Sequence, residues 1–284
     1  MIIDFHTHTF PEKVSGKVVA QLGKVAHIKP FTDGSIHGLI DSMKTSAVDI
    51  SINLPVMTSP EQVEKINSSM IQSNENWKEH GILSFGGMHP DYSDYKKEFR
   101  RLKEHGIPGI KLHPAYQNVD LDDIRMMRII DSASEEGLIV LLHAGIDIGI
   151  YDHNYSAVSH ILKVLDEVHP EKLVLAHMGN WGCWDEVEKY LAGAPVWLDT
   201  AFSIGPITPN PEQKETPYTR ILDDEDFIRL VRKHGADKIL FGTDSPWKDQ
   251  QDYVERINAL CLTDKEKKQI FSENAISLLG LRAI

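Results

Sequence analysis

The sequence predicts one α/β domain of the (β/α)₈ barrel class, spanning residues 1–284, and three observations predict it. Short apolar, β-branched runs recur eight times. Stretches with helical periodicity separate them. Together they fill about 250 residues, the usual size of such a barrel. The runs are IIDFHTH (2–8), VDISINLP (48–55), ILSFGGMHP (82–90), IPGIKLHP (107–114), LIVLLHAG (138–145), KLVLAHMG (172–179), PVWLDTA (195–201) and KILFGTDSP (238–246). Near-continuous apolar runs are strands buried on both faces, as in a parallel sheet. Between them lie EQVEKINSSMIQSNENWKEHG, YKKEFRRLKEHG, LDDIRMMRIIDSASEEG and VSHILKVLDEVHPEK, and several of these end in the glycine that a helix C-terminus prefers. An open doubly wound sheet gives the same alternation. Its mark, a Gly-rich phosphate turn after the first strand, is absent, because that strand runs into HTHTF.

Two connections exceed the usual few residues. One runs from Thr9 to about Ser35 and the other is SIGPITPNPEQKETPYTR, residues 203–220. In a barrel both rise from the C-terminal rim, where active sites are built, so they are candidate lids or substrate walls. Decorative insertion is the plainer alternative.

Composition narrows the function. The 284 residues are 41% hydrophobic and 25% charged, enough for a sizeable core. A formal net charge of −12 argues against a nucleic-acid surface, which needs a basic face. Two cysteines, Cys183 and Cys261, make no disulfide framework and fit a reducing compartment. No basic leader with an apolar core opens the sequence, and no apolar run nears the ~20 residues of a membrane helix. The expectation is a soluble, cytoplasmic protein acting on a small molecule, with neither nucleic acid nor membrane as partner.

The chemistry collects at the strand ends. In His6-Thr7-His8 the period of two puts both imidazoles on one face, a natural beginning for a metal site. Strand 3 ends at His89, strand 4 carries Lys111 and His113, strand 5 ends at His143, strand 6 at His177 and strand 8 at Asp244. In a parallel barrel those ends meet around one mouth. Three histidines and a carboxylate suit zinc or another divalent first-row ion with a position open to water.

HxH after strand 1, histidines ending strands 5 and 6, an Asp ending strand 8 and the phrases GIKLHP, LAHMG and FGTDSP together resemble the amidohydrolase superfamily. They resemble in particular the amidohydrolase-related branch that includes aminocarboxymuconate-semialdehyde and resorcylate decarboxylases, and related hydrolases and hydratases acting on dicarboxylates. The resemblance covers essentially the whole chain. It implies a distorted barrel, with His6, His8, His143 and Asp244 as ligands of one divalent ion, most often Zn²⁺. It also implies that His177 touches the activated water or the substrate, and that Asp244 doubles as general base. Barrels of this kind often pair, so a homodimer is a further expectation, although no stretch of sequence marks the surface.

Lys111 is ambiguous. In binuclear members of the superfamily a carboxylated lysine at this point bridges two metals. In the resembled branch one metal is commoner, which leaves Lys111 as a cation for a substrate carboxylate. A lysine paired with a neighbouring acid is the structural alternative. His89 and His113 both precede proline, which can simply end a strand. His113, Trp181 and Arg220 are the expected substrate contacts. Trp181 and Trp184 can wall a pocket for a planar molecule or pack beneath the rim, and Trp247 shares the ambiguity. Lys24 and Lys29 are weaker candidate cations, and Asn274 reads as structural. No GxSxG elbow supports a serine hydrolase. Metal-dependent nucleases on a similar barrel carry a glutamate where this chain has Lys111. Hydrolysis of an amide, ester or lactone carbonyl is the first reading, with Asp244, His177 and Lys111 as catalytic groups. Non-oxidative decarboxylation of an unsaturated or aromatic acid is the second.

Overall fold

The computed structural model describes residues 1–213 and 221–281. Among them are nine strands: β1 (Ile3–Thr7), β2 (Ile50–Asn53), β3 (Ile82–Ser84), β4 (Gly86–Gly87), β5 (Gly109–Leu112), β6 (Ile139–Leu142), β7 (Leu173–Leu175), β8 (Trp197–Asp199) and β9 (Ile239–Leu240). Each lies within an expected run. The third run gives two strands because regular pairing is interrupted at Phe85. The chain divides into two compact units, one of Met1–Asn53, His80–Ile82 and the chain from Asp199 onward, the other of Leu54–Glu79 and Leu83–Leu198.

In the first unit β1 is the central strand. It pairs in parallel with β2, Ile3 opposite Ile50 and Asp4 opposite Ser51. Its other edge is bonded by the chain leaving β9. Phe5 N–H donates to the Phe241 carbonyl (2.7 Å), Asp244 N–H to that of His6 (2.8 Å) and His8 N–H to that of Ser245 (2.7 Å). The Leu240 carbonyl in turn accepts from Thr200 N–H at 3.0 Å. Flanked on both edges, β1 is buried at every residue, which is why its sequence is so apolar.

The long connection after β1 is more ordered than a loop reading implies, since it contains a helix, Ser15–Val25, and a second helix, Ile36–Ser46, follows it. Ser35 caps the second helix by accepting from Gly38 N–H. The two long connections also bond to each other. Lys29 N–H donates to the Thr208 carbonyl (2.9 Å), and Asn210 N–H to that of His27 (3.1 Å). Lys24 pairs with Glu212 at 2.8 Å on the exposed surface, an arrangement that contributes little to stability. Buried Lys248 fastens the later loop by donating to the Gly205 and Pro206 carbonyls, at 3.2 and 2.7 Å. Burial pushes its ammonium down to about 8.

The second unit holds β4, β5, β6, β7 and the first two residues of β8 in sequential parallel order. The helices Val63–Asn74, Tyr95–Glu104, Ile124–Glu135 and Val158–Glu167 fall where periodicity puts them. Each strand–helix–strand step gives a parallel neighbour, as a crossover connection demands. Among the described residues no helix is long and apolar enough to cross a membrane.

Asp4 is the buried polar clamp of the first unit. One carboxylate oxygen accepts from Thr243 N–H (2.9 Å) and His6 N–H (3.2 Å). The other accepts from the Thr243 hydroxyl (2.6 Å) and the Gln250 amide (2.7 Å). Burial pushes this carboxyl up to about 6 against the opposing pull of those hydrogen bonds. Asp4→Ala strands buried donors on two segments at once, and the expected loss of stability is ~3–5 kcal/mol. Urea denaturation checks it, and an unchanged midpoint would show that the clamp is dispensable.

Candidate metal centre

Three side chains of the first unit converge. Thr7 turns to the opposite face of β1 and donates to the Ile52 carbonyl at 2.8 Å, so His6 and His8 share the other face. Nε2 of His6 lies 3.2 Å from Nε2 of His8 and 3.4 Å from Oδ1 of Asp244, and the His8–Asp244 separation is 3.2 Å. A tetrahedral ion with bonds of ~2.1 Å has ligand–ligand edges of roughly 3.4 Å. Nδ1 of His6 faces Oδ2 of Asp199 at 2.8 Å. The carboxylate has no hydrogen to give, so the ring proton sits on Nδ1 and Nε2 presents a lone pair. Asp244 is held by a left-handed backbone (φ 69°), uncommon outside glycine. Its N–H is bonded to the His6 carbonyl, and its own carbonyl accepts from Trp247 N–H at 2.8 Å. Two imidazole nitrogens and a carboxylate oxygen at this spacing fit a divalent first-row cation.

His113, His143 and His177 gather in the second unit. His113 stacks on His143, with ring centres 4.2 Å apart and planes 13° from parallel. Nε2 of His177 and Nδ1 of His143 share a hydrogen bond of 3.0 Å. Asp147, four residues beyond His143, fixes one carboxylate oxygen on Gly149 N–H (2.8 Å). Its other oxygen lies 3.5 Å from Nε2 of His113 and 4.0 Å from Nε2 of His143. Nδ1 of His113 accepts from Tyr116 N–H at 3.4 Å. His113, His143 and Asp147 thus lie close enough together to form a second group able to hold a metal ion. Lys111, on β5 two residues before His113, is 1% exposed.

His177 and Met178 have left-handed backbones, φ 60° and 52°. The indole N–H of Trp184 holds this turn by donating to the His177 carbonyl at 2.9 Å. Trp184 therefore has a structural task, while Trp181 meets it edge-on with ring centres 6.0 Å apart. Gly145 is obligatory beside them. At φ 103° it runs so close to Trp181 that a Cβ would lie 2.1 Å from the Trp181 nitrogen. His89 accepts from Asp91 N–H at 3.2 Å, as a hydrogen-bonded strand-end residue does, and burial pushes its pKa down. Lys29 lies 4.9 Å over the Phe31 ring. Asn274 donates to the Ala236 and Ile239 carbonyls at 2.7 Å each, a structural role. Arg220 lies outside the described residues. Sequence reasoning missed Asp199 and Asp147. The strand-end criterion that found the histidines also applies to Asp199, the last residue of β8.

Solved structures share this fold along its whole length. A TIM-barrel protein, Bb4693, from Bordetella bronchiseptica superposes with a TM-score of 0.74 at 16% identity, covering 98% of each chain. The 5-carboxyvanillate decarboxylase LigW from Sphingomonas paucimobilis gives 0.67 at 12% identity, over 99% of each. A dihydroxybenzoic acid decarboxylase from Polaromonas sp. JS666, solved with bound manganese, gives 0.70 at 15%, over 99% of this chain and 98% of that one. These likenesses establish the fold as a (β/α)₈ barrel. No curated protein sequence matches the chain. Residues 74–281 match the amidohydrolase family, and the chain belongs to it. It is thereby a metal-dependent enzyme of a class that spans hydrolases and decarboxylases.

Trp184→Phe keeps the ring packing but removes the donor to the His177 carbonyl. The expected cost is ~1–2 kcal/mol in stability, with lower turnover at unchanged metal content. Thermal unfolding and metal analysis check it; loss of metal instead would give Trp184 a different role.

Proposed function

We propose that this enzyme is a metal-dependent, non-oxidative decarboxylase of an unsaturated or aromatic carboxylic acid. The observation that carries this reading is the whole-chain likeness to decarboxylases of hydroxylated aromatic acids, one of them with manganese bound. It displaces the hydrolytic reading from first place. Hydrolysis of a carbonyl compound stands second; Lys24, one of the cations weighed for a carboxylate substrate, is taken by Glu212 at the surface.

His6, His8 and Asp244 would hold one divalent ion, and the family pattern adds His143 as a ligand. When bound, the ion supplies Lewis acidity toward a substrate oxygen. Lys111 supplies a buried positive charge for the substrate carboxylate, worth more there than at the surface. Trp181 offers a flat face to a planar acid. His177 donates a hydrogen bond to a substrate oxygen. Asp244 carries the mobile proton at its carboxylate and delivers it to the carbon bearing the carboxyl group. The electron pair of the breaking C–C bond returns to the unsaturated system as CO₂ leaves.

Carboxyl-¹³C-labelled hydroxybenzoates and unsaturated diacids, offered with Mn²⁺ or Zn²⁺ in D₂O, test the reading. The expected products are labelled CO₂ or bicarbonate and an arene or alkene carrying one deuterium. Turnover of esters or lactones without any release from the acids would return the function to hydrolysis. Asp244→Asn can still offer an oxygen to a metal, so it should retain some metal and lose roughly 10²–10⁴-fold in kcat. His143→Ala should lose metal if the family pattern holds in this chain, and full metal content would remove His143 from the ligand set. With a single ion, Lys111→Ala should keep about one metal per chain and lose roughly 10–150-fold in kcat/KM, the effect of ~1.5–3 kcal/mol. Two metals in the parent and one or none in this variant would instead make Lys111 a bridging carbamate.

A further inference from the structure

We infer that Asp199 is a positioning residue that sets the metal affinity of the site through His6, and that Gly242 is the gap that lets the two meet. The inference rests on the metal reading above but concerns Asp199, which neither the family pattern nor the strand-end histidines single out, and gives a task to Gly242 of the FGTDSP phrase. Asp199 is fully buried and ends β8. Its Oδ1 accepts from Ala201 N–H at 3.0 Å, which fixes the carboxylate plane, and its Oδ2 accepts from Nδ1 of His6 at 2.8 Å.

The backbone beneath it is braced. The Thr200 hydroxyl donates to the Gly242 carbonyl (2.8 Å) and lies 3.0 Å from Gly242 N–H. The Tyr253 hydroxyl donates to the Thr200 carbonyl (2.6 Å) and lies 2.9 Å from Ser203 N–H. A Cβ on Gly242 would stand 2.9 Å from Cβ of His6 and 3.5 Å from Cβ of Asp199. Neither is the far end of a flexible chain, so even alanine there must move His6. The contact does two things for the metal. It keeps the proton on Nδ1 and aims Nε2 at His8 and Asp244. Outer carboxylates of this kind are typically worth 10–100-fold in metal affinity.

The test uses full-length protein stripped of metal and titrated with Mn²⁺ or Zn²⁺ against a chromophoric chelator. Asp199→Ala should bind roughly 10–100-fold more weakly. Asp199→Asn, whose amide oxygen can still accept from Nδ1–H, should recover part of that loss. Gly242→Ala, which acts from the other side, should weaken binding as well. Nitrogen-15 NMR of the metal-free protein reads the proton on His6 directly, on Nδ1 in the parent and increasingly on Nε2 in Asp199→Ala. A merely structural carboxylate would not move that signal. Wild-type affinity in Asp199→Ala overturns the inference, and so does an Nε2–H tautomer in the parent. If the parent binds no divalent ion, the metal reading fails by itself, while the tautomer measurement still decides the Asp199–His6 contact.

Discussion

Two imidazole nitrogens and a carboxylate oxygen stand 3.2–3.4 Å apart in a nearly closed part of the protein, and His6 has no hydrogen to offer the other two. A divalent cation placed among them would be met by all three atoms. The architecture of the first unit follows from keeping them together. The parallel pairing of β1 with the chain leaving β9 places the His6 carbonyl on the Asp244 amide, so two of the donors are locked in register by a main-chain bond. Asp4 ties the same two segments together one turn of the pleat earlier. Order in the strands and order in the donor set are thus one constraint seen twice.

The second unit shows that clustered histidines do not all serve alike. His113 and His143 stack face to face beside Asp147, a second group able to hold a metal ion, and the Tyr116 amide lies 3.4 Å from Nδ1 of His113. His177 reaches Nδ1 of His143 from a left-handed turn that the Trp184 indole holds in place. Backbone in a sparsely populated conformation persists when its surroundings over-determine it, and such positions gather at functional sites. His177 and Asp244 both sit in that conformation.

Hydrolysis and decarboxylation draw on the same donors, so a shared fold leaves both open to the family. What separates them is the handling of the substrate carboxylate. Under the proposed function that task falls to Lys111, which is buried, whereas Lys24 pairs with a glutamate at the exposed surface. A charge held away from water acts over a short range with little screening, and that favours one tightly held anion over a diffuse attraction for many.

Residue order alone fixed the alternation of strand and helix, because apolar runs buried on both faces and 3.6-residue periodicity are local signals. Period two likewise put His6 and His8 on one face, and the same logic placed histidines at the ends of the fifth and sixth runs. Only the tertiary structure decided what those residues touch. Asp199 and His6 are 193 positions apart, and nothing near either one announces the other. Gly242 belongs to the FGTDSP phrase, yet only the structure shows that a Cβ there would stand 2.9 Å from that of His6. Nδ1 of His113 meets an amide three residues further on, in a four-residue helix that no periodicity signals. Which nitrogen carries a hydrogen is set by its partner across space, and partners across space are what a linear pattern leaves out.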